Sequence, residues 1–272
     1  MAGKLQITIG IGSDTGIQRA SKGNEDLIGT YADYPEGRLH VVDKGFLFVL
    51  ADGMGGAAGG AEASGMAVET VLHSYYEDDD PDIVHSVIHS IREANTQVYY
   101  RGHHDAAVEG MGTTIVTAVI FGNQLFIANI GDSRAYLLRH GLLEQLSTDH
   151  TVVQMLFDEG IISREQTLHH PLRHVLQQNL GGKPEVEPAI HTAVLQPGDV
   201  ILLCSDGLWD AVDSEEEIID VLQKHYGNKA SRSLIRLANQ HGGPDNVSVV
   251  VVHIDHAASH NQQEKKKKKK TQ

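Results

Sequence analysis

Two apolar runs, FVLADG at 48–53 and LLCSDG at 202–207, end in the same dipeptide, Asp-Gly. A nearly unbroken apolar run of this kind reads as a strand buried on both faces. The chain must therefore cover two such strands and still place a carboxylate at the end of each. Two further segments, GDSRAYLL at 131–138 and PDNVSVVVV at 244–252, put an aspartate just before a strand. Strand ends placed in adjacent sheets bring Asp52, Asp132, Asp206 and Asp245 to one rim. Four carboxylates tolerate such proximity only with cations among them, because like charges raise each other's pKa. Oxygen-only ligation selects hard ions, Mg²⁺ or Mn²⁺, over zinc. For any one of these segments alone, a turn or an ordinary loop aspartate is the better reading.

The rest of the pattern supplies the cover. Residues 5–12 and 39–51 read as strands. Helical periodicity runs from Ala61 to about His73 and again from near Asp82, after the break at Asp80-Pro81. Strand signals follow at 113–121, 124–129, 134–139 and 142–146, joined at Gly122-Asn123 and His140-Gly141 as in an antiparallel meander. They return at 200–204 and 247–254, with helices at 215–224 and 231–241 between them. Helices in pairs between antiparallel blocks predict an α+β fold with two antiparallel central sheets flanked by helices, a four-layer α/β/β/α sandwich. The expected organisation is a single domain over 1–254 and a disordered Lys-rich tail over 255–272. Within the domain a polar, His-rich excursion at about 149–182 carries a short helix over 152–159.

Charge narrows the partners. The net charge is −14, and without the lysines at 265–270 the balance is 16 basic residues against 36 acidic, or −20. Such a surface repels nucleic acid, whose recognition draws on clustered Lys and Arg. No stretch approaches the roughly 20 apolar residues of a membrane span, and the N-terminus lacks the pattern of a signal peptide. The lysine run has no adjacent apolar anchor, so no stable membrane association is expected. Cys204 is the only cysteine, which excludes an intrachain disulfide and fits a cytoplasmic protein. It has no arginine five or six positions on, as a thiol-phosphate loop would require. Gly10, Gly12 and Gly16 are wrongly spaced for a dinucleotide fingerprint, so no organic cofactor is expected.

One more segment bears on the chemistry. SDTGIQRASKGNED at 13–26 holds a single arginine and an Asn-Glu-Asp cluster. It reads either as a polar loop or as a site element. In the second case Arg19 takes a phosphate with its planar fork, and Glu25 and Asp26 complete a metal shell or orient its waters. Here a resemblance emerges. S-D-x-G-x-x-R (13–19), N-E-D (24–26), A-D-G-M-G-G (51–56), G-M-G-T-T (110–114), G-D-S-R (131–134), S-D-G-L-W-D (205–210) and G-G-P-D-N-V-S (242–248) occur in the order of the PPM group, the protein phosphatase 2C family, in its bacterial form.

The resemblance implies two catalytic Mn²⁺ or Mg²⁺ ions and a third. Asp52 would bridge the pair, and the Gly53 carbonyl would ligate one of them. Asp206 and Asp245 would hold the first ion, with Glu25 and Asp26 near the second. Asp132 with Asp206 would form the third, weaker site, while Asn246 and Asp210 support. The excursion at 149–182 corresponds to the family's flap. The implied reaction is hydrolysis of phosphoserine and phosphothreonine in proteins by a metal-bridging hydroxide without a phosphoenzyme, in a monomer that opposes a bacterial Ser/Thr kinase. Met54 stands where eukaryotic members carry a proton-donating histidine and cannot donate a proton. The acid is then expected to be a water at the Asp132 site. Two-metal hydrolysis of small phosphoesters or phosphodiesters and non-catalytic phosphoprotein binding are the competing functions; every core carboxylate position is filled, which argues against the latter.

Overall fold

The computed structural model describes residues 6–35 and 37–255. The chain opens with β1 (Gln6–Asp14), β2 (Asp26–Thr30), α1 (Gly37–Lys44) and β3 (Phe46–Met54), then the packed helices α2 (Gly56–Glu77) and α3 (Ile83–His104). Next come β4 (Gly112–Thr113), β5 (Ile115–Phe121), β6 (Gln124–Ile130), β7 (Arg134–Arg139) and β8 (Leu142–Gln145). The excursion carries α4 (Val152–Asp158) and α5 (Arg164–Leu168), and is followed by β9 (Ala189–Val194) and β10 (Val200–Cys204). The chain closes with α6 (Asp206–Trp209), α7 (Glu215–Lys224), α8 (Asn228–Gln240) and β11 (Val247–Asp255).

These strands form two antiparallel sheets, in the orders β1-β11-β10-β7-β8 and β2-β3-β5-β6-β9, with β4 paired to β3 off the second path. The apolar runs are continuous because each central strand is covered twice. Leu47, Val49 and Ala51 of β3 face Ala67, Val71 and Tyr75 of α2, while Phe48 and Leu50 face the other sheet. In β10, Ile201 and Leu203 pack into the intersheet core, and Leu202 and Cys204 pack under α7 and α8 beside Leu222 and Leu234. Three apolar layers thus join four structural ones, and the α/β/β/α sandwich is the observed fold.

Several boundaries differ from the sequence reading. Residues 39–51 are not one strand: α1 occupies the first half. It stops at Gly45, whose φ of 78° and N–H bond to the Val41 carbonyl make a left-handed helix end. The meander is two hairpins in different sheets, since β6 pairs β9 and β7 pairs β10. The chain changes sheet between them at Gly131–Ser133. Two strands lacked a signal: β2 is only five residues, and β9 is an exposed edge strand. The last strand includes Asp255, which accepts a hydrogen bond from Thr8 Oγ1 at 2.9 Å. The rest of the expected tail lies outside the described residues.

Candidate active site

The rim is formed where β3 and β2 of one sheet meet the ends of β10 and β11 of the other. Asp26 and Asp52 face each other across the β2–β3 ladder. Asp206 follows β10, Asp245 precedes β11, and Asp132 sits in the sheet-changing turn before β7. Neither Asp-Gly is a turn. β3 runs on through Gly53 to Met54, and Asp206 begins α6. Neither glycine has a positive φ. A Cβ on Gly53 would lie 2.0 Å from the Gly60 carbonyl oxygen, and one on Gly207 would lie 1.9 Å from that of Asn246. Both glycines are there so that backbones can cross closely, which holds the preceding aspartates in place.

Hydrogen bonds fix the backbone of Asp52 and Asp132 and one oxygen of Asp26. The Asp52 N–H donates to Thr114 Oγ1 at 3.1 Å, the Thr114 and Ser133 hydroxyls lie 2.7 Å apart, and Thr113 Oγ1 donates to the Asp52 carbonyl at 2.8 Å. Ser205 Oγ donates to Asp26 Oδ2 at 2.8 Å and accepts from the Ser248 N–H at 2.9 Å. Asn246 accepts from the Glu25 N–H at 2.8 Å and donates to the carbonyls of Thr15 and Gly23. It therefore pins the 13–26 loop and does not reach the cleft. Trp209 Nε1 donates to the Asp132 carbonyl at 3.0 Å. The motif strings at 110–114 and 131–134 were visible in the sequence, but the holding roles of Thr114, Ser133, Ser205 and Ser248 were not.

The cleft has a volume of about 610 Å³ and is bordered by Arg19, Glu25, Asp52, Gly53, Met54, Asp132, Asp206 and Asp245. Lys22 and Thr114 also border it, as do His174, Leu176 and Asn179 from the excursion. Asp26 lies just beneath, 7% exposed. Arg19 does not stand free at the mouth: its guanidinium binds Glu25 and Asp245 together. Asp210 points to the excursion, accepting from Arg173 at 3.2 Å. The excursion is also tied at both roots: the His150 N–H donates to the Gly131 carbonyl at 2.9 Å, and Thr113 and Leu180 exchange backbone bonds.

Burial and mutual repulsion dominate the electrostatics. Asp52 and Asp206 each keep some solvent contact at the cleft floor but are otherwise enclosed. Burial first, then neighbouring aspartates, push both carboxyls well above the usual range. For Asp52 these neighbours are Asp26, Asp206, Asp132 and Asp245, so Asp52 sits at the centre of the repulsion. Burial raises Asp26 to about 6, and burial with the Asp149 charge raises Asp132 to about 7. Glu25 Oε1, Asp26 Oδ1 and Asp206 Oδ1 are buried acceptors without any hydrogen-bond donor.

Orphaned, crowded, hard oxygen atoms fit divalent Mg²⁺ or Mn²⁺. Among the described residues no three side chains close on one point as a ready-made cage; Arg19, bound to two of the carboxylates, contributes the positive charge there. Burial also lifts the Cys204 thiol to about 12, which removes it as a nucleophile at neutral pH.

Fold and cleft together define a class: two-sheet, helix-covered proteins with a carboxylate floor made for hard cations and an arginine suited to an anion. The family model described as Protein phosphatase 2C matches residues 33–239. The chain belongs to that family, in its bacterial form. It is 40% identical over 244 residues to the serine/threonine protein phosphatase PstP of Mycobacterium tuberculosis, a match covering 89% of this chain and 44% of PstP. The chain thus spans less than half the length of that curated relative. The protein phosphatase PhpP of Streptococcus pneumoniae is 36% identical over 245 residues, covering 88% of this chain and 94% of PhpP. A solved structure of the PstP catalytic domain in complex with two manganese ions aligns with a TM-score of 0.77 at 37% identity, covering 93% of this chain and 100% of that one.

Proposed function

We propose that this chain hydrolyses phosphoserine and phosphothreonine in proteins, as a cytoplasmic monomer opposing a Ser/Thr kinase. The carrying observation is the convergence of Asp26, Asp52, Asp132, Asp206 and Asp245 with Arg19 at one rim. Asp52, the Gly53 carbonyl, Asp206 and Asp245 would hold the catalytic ions, with Glu25 and Asp26 beside the second and Asp132 with Asp206 at a third. When bound, Mn²⁺ or Mg²⁺ would offset the phosphate's charge and acidify water for direct attack without a phosphoenzyme. The protein's own part is to hold and orient. Thr114 and Ser133 fix Asp52, Ser205 fixes Asp26, and Asn246 fixes Glu25. Arg19, whose guanidinium is held by Glu25 and Asp245, would present its planar fork to two phosphate oxygens only once cations take over those carboxylates. Met54 borders the cleft without a proton to give, so the leaving alkoxide would take its proton from water, which Asp132 would hold. His174, Leu176 and Asn179 place the excursion where a peptide flanking the phosphate would lie.

The test is manganese-dependent release of phosphate from a phosphothreonine peptide. Asp52→Asn and Asp206→Asn should each reduce turnover by at least a hundredfold. Full activity in the presence of a chelator would overturn the proposal.

A further inference from the structure

The ladder between β7 and β10 ends where Arg134 faces Cys204. Asp132 lies two residues before that pair on one chain, and Asp206 two residues after it on the other. Both border the cleft, and no further pair of this ladder ties their backbones together. Beyond it one chain enters the sheet-changing turn and the other enters α6. Like charges at an open ladder end repel, so their spacing needs another restraint.

One side chain crosses the gap. Trp209, the last residue of α6, donates from Nε1 to the Asp132 carbonyl at 3.0 Å. The same short helix begins at Asp206, whose carbonyl accepts from the Asp210 N–H at 2.8 Å. The indole is therefore a strut between the two backbones that carry the carboxylates. Its ring face is occupied by Arg134, whose guanidinium carbon stands 3.7 Å from the ring centroid. That guanidinium is itself fixed. Nε and Nη2 fork onto buried Asp149 at 3.1 and 2.7 Å, and Nη1 donates to the Tyr136 hydroxyl at 3.0 Å. Gln145 Nε2 also holds Asp149, at 2.8 Å. Only arginine combines a fork with a flat face for stacking; lysine has neither.

We infer that Trp209, braced by Arg134, is the positioning residue that sets the spacing of Asp132 and Asp206, and with it the affinity of the cation site those two carboxylates would form. The inference rests on the proposed third ion at that pair. With only two protein carboxylates, most of such an ion's shell is water, which leaves their spacing to decide its affinity. Groups that orient a metal ligand typically change affinity by roughly 10–100-fold when removed.

Mn²⁺ binding to the 272-residue chain, followed by equilibrium dialysis, should resolve two tight ions and one weaker. Trp209→Phe keeps a ring for Arg134 to stack on and removes only the N–H. It should weaken the third ion about tenfold and leave the tight pair unchanged. Arg134→Lys should weaken the same ion, yet add no loss to Trp209→Phe, because the brace works through the bond already missing. A residue that merely supports the fold would lower the melting temperature without singling out one ion. The wild type gives a second measurement, since Trp209 is its only tryptophan. In a Mg²⁺ titration the single indole ¹H–¹⁵N signal should move with the weakest binding step. Three ions in the wild type, with the third unaffected by Trp209→Phe, would overturn this inference alone. Where that variant does not fold, an indole signal indifferent to the weakest step would do the same. Only two ions in the wild type would overturn the third site itself, and this inference with it.

Discussion

Single residues at the rim act through what they forbid as much as through what they hold. Gly53 would be required there even without a ligand role, because any side chain would meet the Gly60 carbonyl. Gly53→Ala should destabilise the protein by about 1–3 kcal/mol, as overpacking against backbone does, read as a lower urea midpoint at unchanged slope. Asp132 makes a second case. Its carboxyl is pushed from 3.8 to about 7, so the native state holds a proton that the unfolded chain releases. That stabilisation is complete below the unfolded value and is lost as pH rises through the folded one. In chelator, Asp132→Asn should therefore raise the melting temperature at pH 7.5 by about 2–5 °C and flatten its rise on acidification. An unchanged pH profile would count against a repulsive cluster. Arg19 shows what the sequence conceals: its charge and motif were legible, but not that it spans Glu25 and Asp245.

Among the elements, legibility followed periodicity. The edges of β7, β10 and α7 are set by clean alternation or by turn residues, and the sequence placed them at their observed ends. The Asp82 cap of α3, accepting from the Val84 and His85 N–H groups at 2.8 and 3.1 Å, was signalled by the preceding Asp-Pro. α1 escaped notice because Val41 and Val42 favour a strand, and only the chain reversal at Gly45 shows otherwise. β2 and β9 are strands by pairing, not by pattern. The excursion carrying α4 and α5 borders the cleft through His174, Leu176 and Asn179 and is the element proposed to recognise substrate. Replacing it with a Gly/Ser linker should lower kcat/KM for a phosphopeptide at least tenfold more than for a small aryl phosphate; equal losses would refute a recognition role.

The whole molecule is three apolar layers sharing two sheets, and the middle layer bears the load between the halves. Phe48 is fully buried there, and Phe48→Ala should cost about 3–5 kcal/mol, measured by urea unfolding. The four-layer plan was readable from helix pairs alternating with antiparallel blocks. The sheet assignment of each hairpin was not, since a turn at Gly131–Ser133 looks the same whether the chain stays in its sheet or leaves it. That crossing has a consequence for assembly. Asp26 and Asp52 belong to one sheet, Asp206 and Asp245 to the other, and Asp132 to the seam between them. Neither half can make the cleft alone, so the carboxylate floor exists only once the two sheets have docked. A nascent or cleaved chain whose sheets have not closed has separate acidic edges and no shared carboxylate floor. The seam thus ties formation of the carboxylate cluster to closure of the two sheets.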